Sequence, residues 1–241
     1  MFYYLVAPIL TWHMILIAAA VIPAVFLMIK VYQSDRLEKE SPYLLWELMK
    51  SGIFSALVAL IAERVLSFLL DLAVSPQDGI YDVILYFIVV ACSEEGAKYY
   101  FLKKETWHGS REFNCLYDGV VYATFVSLGF ALWENISYVL SYGFGTAIIR
   151  AVTAIPGHAC FGVFMGVFYG FAKKYDLMNE EGRARFFRIL SVLIPVLLHG
   201  AYDYIASQQS GGSGVFIIFI IILFALSYFL VNTVSKNDHY L

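Results

Sequence analysis

Apolar residues fall into long runs of roughly twenty residues or more, and polar residues gather in the short stretches between them. A hydrocarbon core about 30 Å thick needs roughly 20 helical residues per crossing, so these runs have the length of membrane spans. The pattern predicts an all-α polytopic membrane bundle of about seven transmembrane helices. They lie at about 5–30, 44–70, 80–102, 116–142, 146–172, 187–206 and 214–234, to within ~2–4 residues at each end. Residues 1–241 read as a single integral-membrane domain with no internal repeat. The first run has no basic residues ahead of it and no small-residue cleavage site behind it, so it reads as a retained helix.

Basic residues alternate between connections. Lys30, Arg36, Lys39 and Lys50 flank the first, Lys103, Lys104 and Arg111 fill the third, Lys173, Lys174, Arg183, Arg185 and Arg188 the fifth, and Lys236 follows the last span. The second and sixth connections carry none, and the fourth has only Arg150 at its edge. Under the positive-inside bias this places the N-terminus outside and the C-terminus in the cytoplasm, as in a multi-pass protein of the cell membrane. The segment Gln33 to Glu40 reads as a solvated connection, and Gly211, Gly212, Ser213 and Gly214 as a flexible outer turn.

Composition sharpens the class. Hydrophobic residues make up 61% of the chain and charged residues 15%, with a mean hydropathy of +0.72, far from the soluble range. A net charge of −3 and the absence of Gly-rich phosphate loops argue against a nucleic-acid partner. Cys92, Cys115 and Cys160 read as free thiols without a disulfide framework.

Against this apolar background a few ionisable residues stand out near the middles of the runs: Glu94, Glu95 and Lys98, then Glu134, His158, His199 and Asp203. Lys98 follows Glu94 by four residues and Glu95 by three, so its ammonium reaches a carboxylate on the same helix face. His158, Gly162, Gly166 and Gly170 recur every four residues and form a ridge that lets another helix approach. Ser127, Ala131, Glu134, Tyr138 and Ser141 make a stripe that faces protein or water, and His199 shares a face with Asp203. Glu94, Glu95, His158 and His199 therefore meet in one layer, with Glu134 and Asp203 on the outer wall of the same cavity and Lys98 and Tyr138 in support. Glu63 and Arg64, adjacent near the outer end of the second run, read as a structural pair or as snorkelling residues.

Charges at this depth are costly, which makes a functional site the default reading. A buried glutamate can take a proton from water, one imidazole can orient that water, and a second can donate to the oxyanion formed at a peptide carbonyl. This chemistry requires no cofactor. The same set also suits Zn²⁺, through His158, His199 and Glu95, with an open position for water. No serine or cysteine is paired with a base, which argues against an acyl-enzyme. A proton-coupled transporter and a non-enzymatic scaffold are the alternatives, although the discontinuous repeats of a transporter are not visible.

Glu94-Glu95-Gly96-Ala97-Lys98 resembles the EExxK motif of the PrsW family of bacterial intramembrane proteases, relatives of CAAX prenyl endopeptidases and ABI-type immunity proteins. Trp133-Glu134-Asn135 with Tyr138, Gly157-His158-Ala159, and His199 with Asp203 are similar to that family's later motifs, in order over about 80–206. CAAX-type relatives carry an arginine where this chain has Tyr99 and an asparagine where it has Asp203, which points to the PrsW branch. The resemblance implies a multi-pass protease of the bacterial membrane that cleaves a membrane-anchored protein, as in site-1 cleavage of anti-sigma factors. It implies Glu94 as water-activating base with Glu95 as partner, His158 as the water-orienting residue, and His199 with Asp203 on the oxyanion side. An ionised aspartate cannot donate a hydrogen bond, so Asp203 is expected to orient His199.

Overall fold

A computed structural model describes residues 2–108, 112–208 and 212–241, of which 2–10 and 212–213 enter by backbone alone. The elements are α1 (Phe2–Ser34), α2 (Pro42–Ala73), α3 (Tyr81–Val83), a π-helical stretch (Ile84–Ala91), α4 (Cys92–Thr106), α5 (Asp118–Tyr142), α6 (Phe144–Val152), α7 (Ala154–Leu177), α8 (Glu181–Ser207) and α9 (Gly212–Lys236). Local chemistry sets their ends. Ser41 caps α2, its hydroxyl accepting from the Leu44 amide ahead of Pro42 in the first turn. Gly143, at φ 85°, ends α5 in the left-handed region.

Six helical segments are long and apolar enough to cross a membrane: Thr11–Ser34, Pro42–Ala73, Asp118–Tyr142, Phe144–Leu177, Glu181–Ser207 and Gly214–Lys236. The third expected span is helical over 81–106, but it is assembled from α3, the π stretch and α4, and α4 carries Glu94, Glu95, Lys98 and several charges beyond them. Two expectations are corrected. The fifth span is not one helix, because the backbone breaks at Thr153 (φ −122°, ψ −74°) and separates α6 from α7. Pro156 explains the break: it lacks an N–H and its ring clashes with the preceding turn, so it fits a first turn better than a helix interior. The glycine-rich turn is shorter than expected, since α9 begins at Gly212; Gly211 lies outside the described residues.

Helix α5 is the axle of the bundle, with α1, α2, α4 and α7 packed around it. It is mostly enclosed by protein, whereas Ile61, Phe68 and Leu72 of α2 and Ile221 and Phe229 of α9 point outwards. Such exposed apolar side chains suit a lipid solvent. The α5–α7 approach depends on the predicted ridge: a Cβ on Gly166 would lie 2.4 Å from the Gly119 carbonyl oxygen, and one on Gly170 2.5 Å from that of Leu116. Gly52 does the same for α2, its ideal Cβ falling 2.1 Å from the Val126 carbonyl oxygen. Polar ties complete the frame, among them Asn135 Nδ2 donating to the Ala20 carbonyl of α1 at 3.0 Å.

Candidate active site

The π stretch feeds directly into α4, whose first two turns carry Glu94, Glu95 and Lys98, with the lysine side chain reaching both carboxylates. π-helical turns are uncommon and recur at functional sites. Lys98 is completely buried, and its Nζ donates to Glu95 Oε1 at 2.7 Å, to Glu94 Oε2 at 3.2 Å and to His158 Nδ1 of α7 at 3.1 Å. It also lies 4.0 Å from the centroid of the Phe130 ring. Two adjacent carboxylates thus share one ammonium, which turns a costly pair of buried charges into a network.

The histidines differ. His158 Nδ1 faces an ammonium, which can only donate, so it accepts, and the proton sits on Nε2, which donates to Glu134 Oε2 at 2.8 Å. Ser127 Oγ of α5 fixes the same turn by donating to the His158 carbonyl at 2.6 Å. His199 has carboxylates on both sides: Nδ1 lies 2.9 Å from Glu95 Oε1, and Nε2 3.3 Å from Asp203 Oδ2 and 3.8 Å from Glu94 Oε2. An imidazole so placed needs a proton on both nitrogens, or a cation in place of one. Phe161 stacks on its ring at a centroid distance of 4.8 Å.

All the sequence-predicted site residues come together. Glu134 lines the cavity, as expected of a wall residue, and is also bonded to His158. Asp203 touches His199, as expected for an orienting residue. Tyr138 is half exposed, and the Arg150 guanidinium lies 4.0 Å from its ring centroid. Glu63 and Arg64 form no ion pair with each other among the described residues; both line the cavity wall instead. Sequence reasoning missed Arg150, which pairs with Glu134 at 2.9 Å and donates from Nε to Asn135 Oδ1 at 2.9 Å. Pro156 was the signal that could have found it, because breaking the helix there lets α6 fold Arg150 back onto the cluster. Cys160 points away from His158 and packs beside Leu223, and all three cysteines are free, as expected.

A cavity of about 760 Å³ opens against this cluster. Glu94, Glu134, His158, His199 and Asp203 line it, whereas Glu95 and Lys98 sit behind them. One atom each from Glu94, Glu95, His158 and His199 lie within 4.8 Å of one another, so two imidazoles and two carboxylates are grouped as a metal site would require. Glu95 Oε2 is buried without a hydrogen-bond partner in that group.

Residues 40–231 match the family model described as "PrsW family intramembrane metalloprotease". Curated proteins named Protease PrsW are similar over most of their length. That of Oceanobacillus iheyensis is 30% identical over 224 residues, covering 92% of this chain and 97% of that protein. That of Geobacillus kaustophilus is 33% identical over 79% of each chain, and that of Bacillus subtilis 29% identical over 81% of this chain and 84% of its own. No solved structure matches.

Proposed function

Since the chain belongs to the PrsW family of intramembrane proteases, we propose that it cuts its membrane-protein substrate with a water molecule activated by Glu94. The observation that carries this reading is the division of labour between the two glutamates. Glu94 lines the cavity and is available to a reacting water, while Glu95 is fully buried and spends Oε1 on Lys98 and His199. Glu94 takes a proton as the water oxygen adds to the scissile carbonyl carbon. His199 donates to the developing oxyanion by turning its Nε2 N–H from Asp203, while Nδ1 stays held by Glu95. When the C–N bond breaks, the same proton passes from Glu94 to the leaving nitrogen, giving a carboxylic acid and an amine, which ionise in water to a carboxylate and an ammonium. His158, its two ring nitrogens taken by Lys98 and Glu134, keeps the polar layer in register and can orient the water only by giving up one of these bonds.

A second reading is favoured by the convergent donor set. Zn²⁺ held by His158, His199 and Glu95 would polarise the carbonyl and acidify a bound water. His158 Nδ1 already accepts from Lys98, so this reading requires that ammonium to yield its place. The substrate class is a membrane-anchored regulatory protein of the anti-sigma-factor type, cut at site 1. The bundle end that carries Lys103, Lys104, Lys173 and Lys174 faces the cytoplasm by the positive-inside bias, with the N-terminus outside.

The test is cleavage of a membrane-anchored model substrate by detergent-purified wild type and Glu94→Gln, each with and without a strong zinc chelator. A glutamate base predicts activity that survives chelation and falls about 10²–10⁴-fold in the variant. Loss on chelation with recovery on adding Zn²⁺ would assign the residues as metal ligands instead.

A further inference from the structure

A second acidic cluster lies outside the cavity, where the α1–α2 connection meets the start of α5. Asp35 and Glu40 come from the α1–α2 connection and Asp118 from the start of α5, and they are 4%, 3% and 0% exposed. One carboxylate oxygen from each lies within 4.8 Å of the others. Asp118 Oδ2 accepts from the Asn114 and Cys115 amides at 2.9 and 2.6 Å, and Glu40 Oε2 accepts from the Tyr122 hydroxyl at 2.7 Å. Both oxygens of Asp35, Oε1 of Glu40 and Oδ1 of Asp118 are buried with no hydrogen bond of good geometry; the Leu37 amide lies nearest Asp35, and Glu40 and Asp118 face each other closely enough to share one proton.

No ion pair to any of the three occurs among the described residues. The nearby Lys39 ammonium is exposed and donates to the main-chain carbonyls of Tyr32 and Asp35. The carboxyl of Asp238 adds further negative charge beside Asp35, from the tail that pairs with the segment before α5. Buried carboxylates left unpaired are costly, and only a proton or a cation relieves them. The donors are all oxygen, with no imidazole or thiolate among them, and this selects hard cations over Zn²⁺ or Cu²⁺.

We propose that Asp35, Glu40 and Asp118 form a binding site for a hard divalent cation of the Mg²⁺, Ca²⁺ or Mn²⁺ class, which clamps the α1–α2 connection to the start of α5. The site is separate from the histidine-containing cluster, shares no residue with it and does not depend on how that cluster hydrolyses peptides. Its position gives the cation a structural role: it joins chain segments that otherwise meet through like charges.

The test is thermal unfolding of the detergent-purified full chain, stripped with EDTA and titrated with MgCl₂, CaCl₂ or MnCl₂ at constant ionic strength. Wild type and Glu94→Gln are expected to gain Tm with at least one of the three salts. In Asp35→Asn the gain should vanish or need at least about tenfold more cation, because the ligand charge is reduced. Stripped Asp35→Asn should be no less stable than stripped wild type, since it has lost a repulsion. Glu40→Gln is the second variant should Asp35→Asn fail to fold, and calorimetric titration of wild type supplies a readout independent of either. No Tm gain with any salt and no calorimetric binding would overturn the proposal. So would a gain that persists in both cluster variants, or one that is lost in Glu94→Gln.

Discussion

Glu134 is held by His158 Nε2 and by Arg150, and makes no use of Glu94 or Glu95. In the proposed mechanism it acts only through the imidazole it orients. Glu134→Gln keeps the size of the side chain and removes the charge, so kcat for a membrane-anchored substrate should fall about 10–100-fold while the protein remains folded. Initial rates compared with a thermal unfolding curve would check this, and unchanged kcat would reduce Glu134 to an interhelical anchor. Residues of this kind were legible in the sequence because an apolar background makes every buried charge conspicuous. Glu94, Glu95, His158 and His199 stand out at sight. Arg150 and Phe161 do not: an arginine near a span end looks like a topology signal, and a phenylalanine in an apolar run looks like any other. Which of them touches a histidine depends on helix rotation and on one chain break, and neither is written in residue type.

At the scale of elements, the molecule depends on helices that touch backbone to backbone. Adding a methyl to Gly52 would place it 2.1 Å from the Val126 carbonyl oxygen, and relief requires moving α2 off α5. Gly52→Ala should therefore cost about 1–3 kcal/mol or more by overpacking. Gly182→Ala, where no atom lies within 4 Å, should stay within about 0.5 kcal/mol of wild type. Thermal unfolding in one detergent compares the two, and equal losses would show that the close approach is dispensable. The spacing of the α7 glycines announced this packing. It did not announce the partner, because a small-residue ridge states that some backbone comes close without stating which. The break at Thr153 was hidden for a different reason: hydropathy runs smoothly through 146–172, and only Pro156 marks the discontinuity.

For the whole molecule, six of the seven runs in the sequence are long and apolar enough to cross a membrane, and the third is not among them because it carries the charged cluster. The acidic cluster beside α1, α2 and α5 gives stability a definite pH dependence when divalent cations are removed. The Glu40 carboxyl is raised from 4.5 to about 9 in the folded chain, by burial first and then by Asp118, with Glu112 adding to it and Tyr122 opposing it through its hydrogen bond. The folded state therefore holds a proton that the unfolded state releases. The stability linked to this group is fully present below pH 4.5 and is lost as pH rises through about 9. In EDTA, Tm of wild type should fall across that window and Glu40→Gln should fall less. An identical slope in both would mean that Glu40 does not govern it.

The chamber beside Glu94 has one more consequence. At roughly 30 Å³ per molecule in the liquid, 760 Å³ corresponds to about 25 waters. Each cut consumes one. Filled with water, a hollow of this size would be a reservoir many turnovers deep for a hydrolase working inside oil. Under the proposed mechanism, speed would then rest on the chemistry at Glu94 and on how readily a stretch of polypeptide gives up lipid for the chamber.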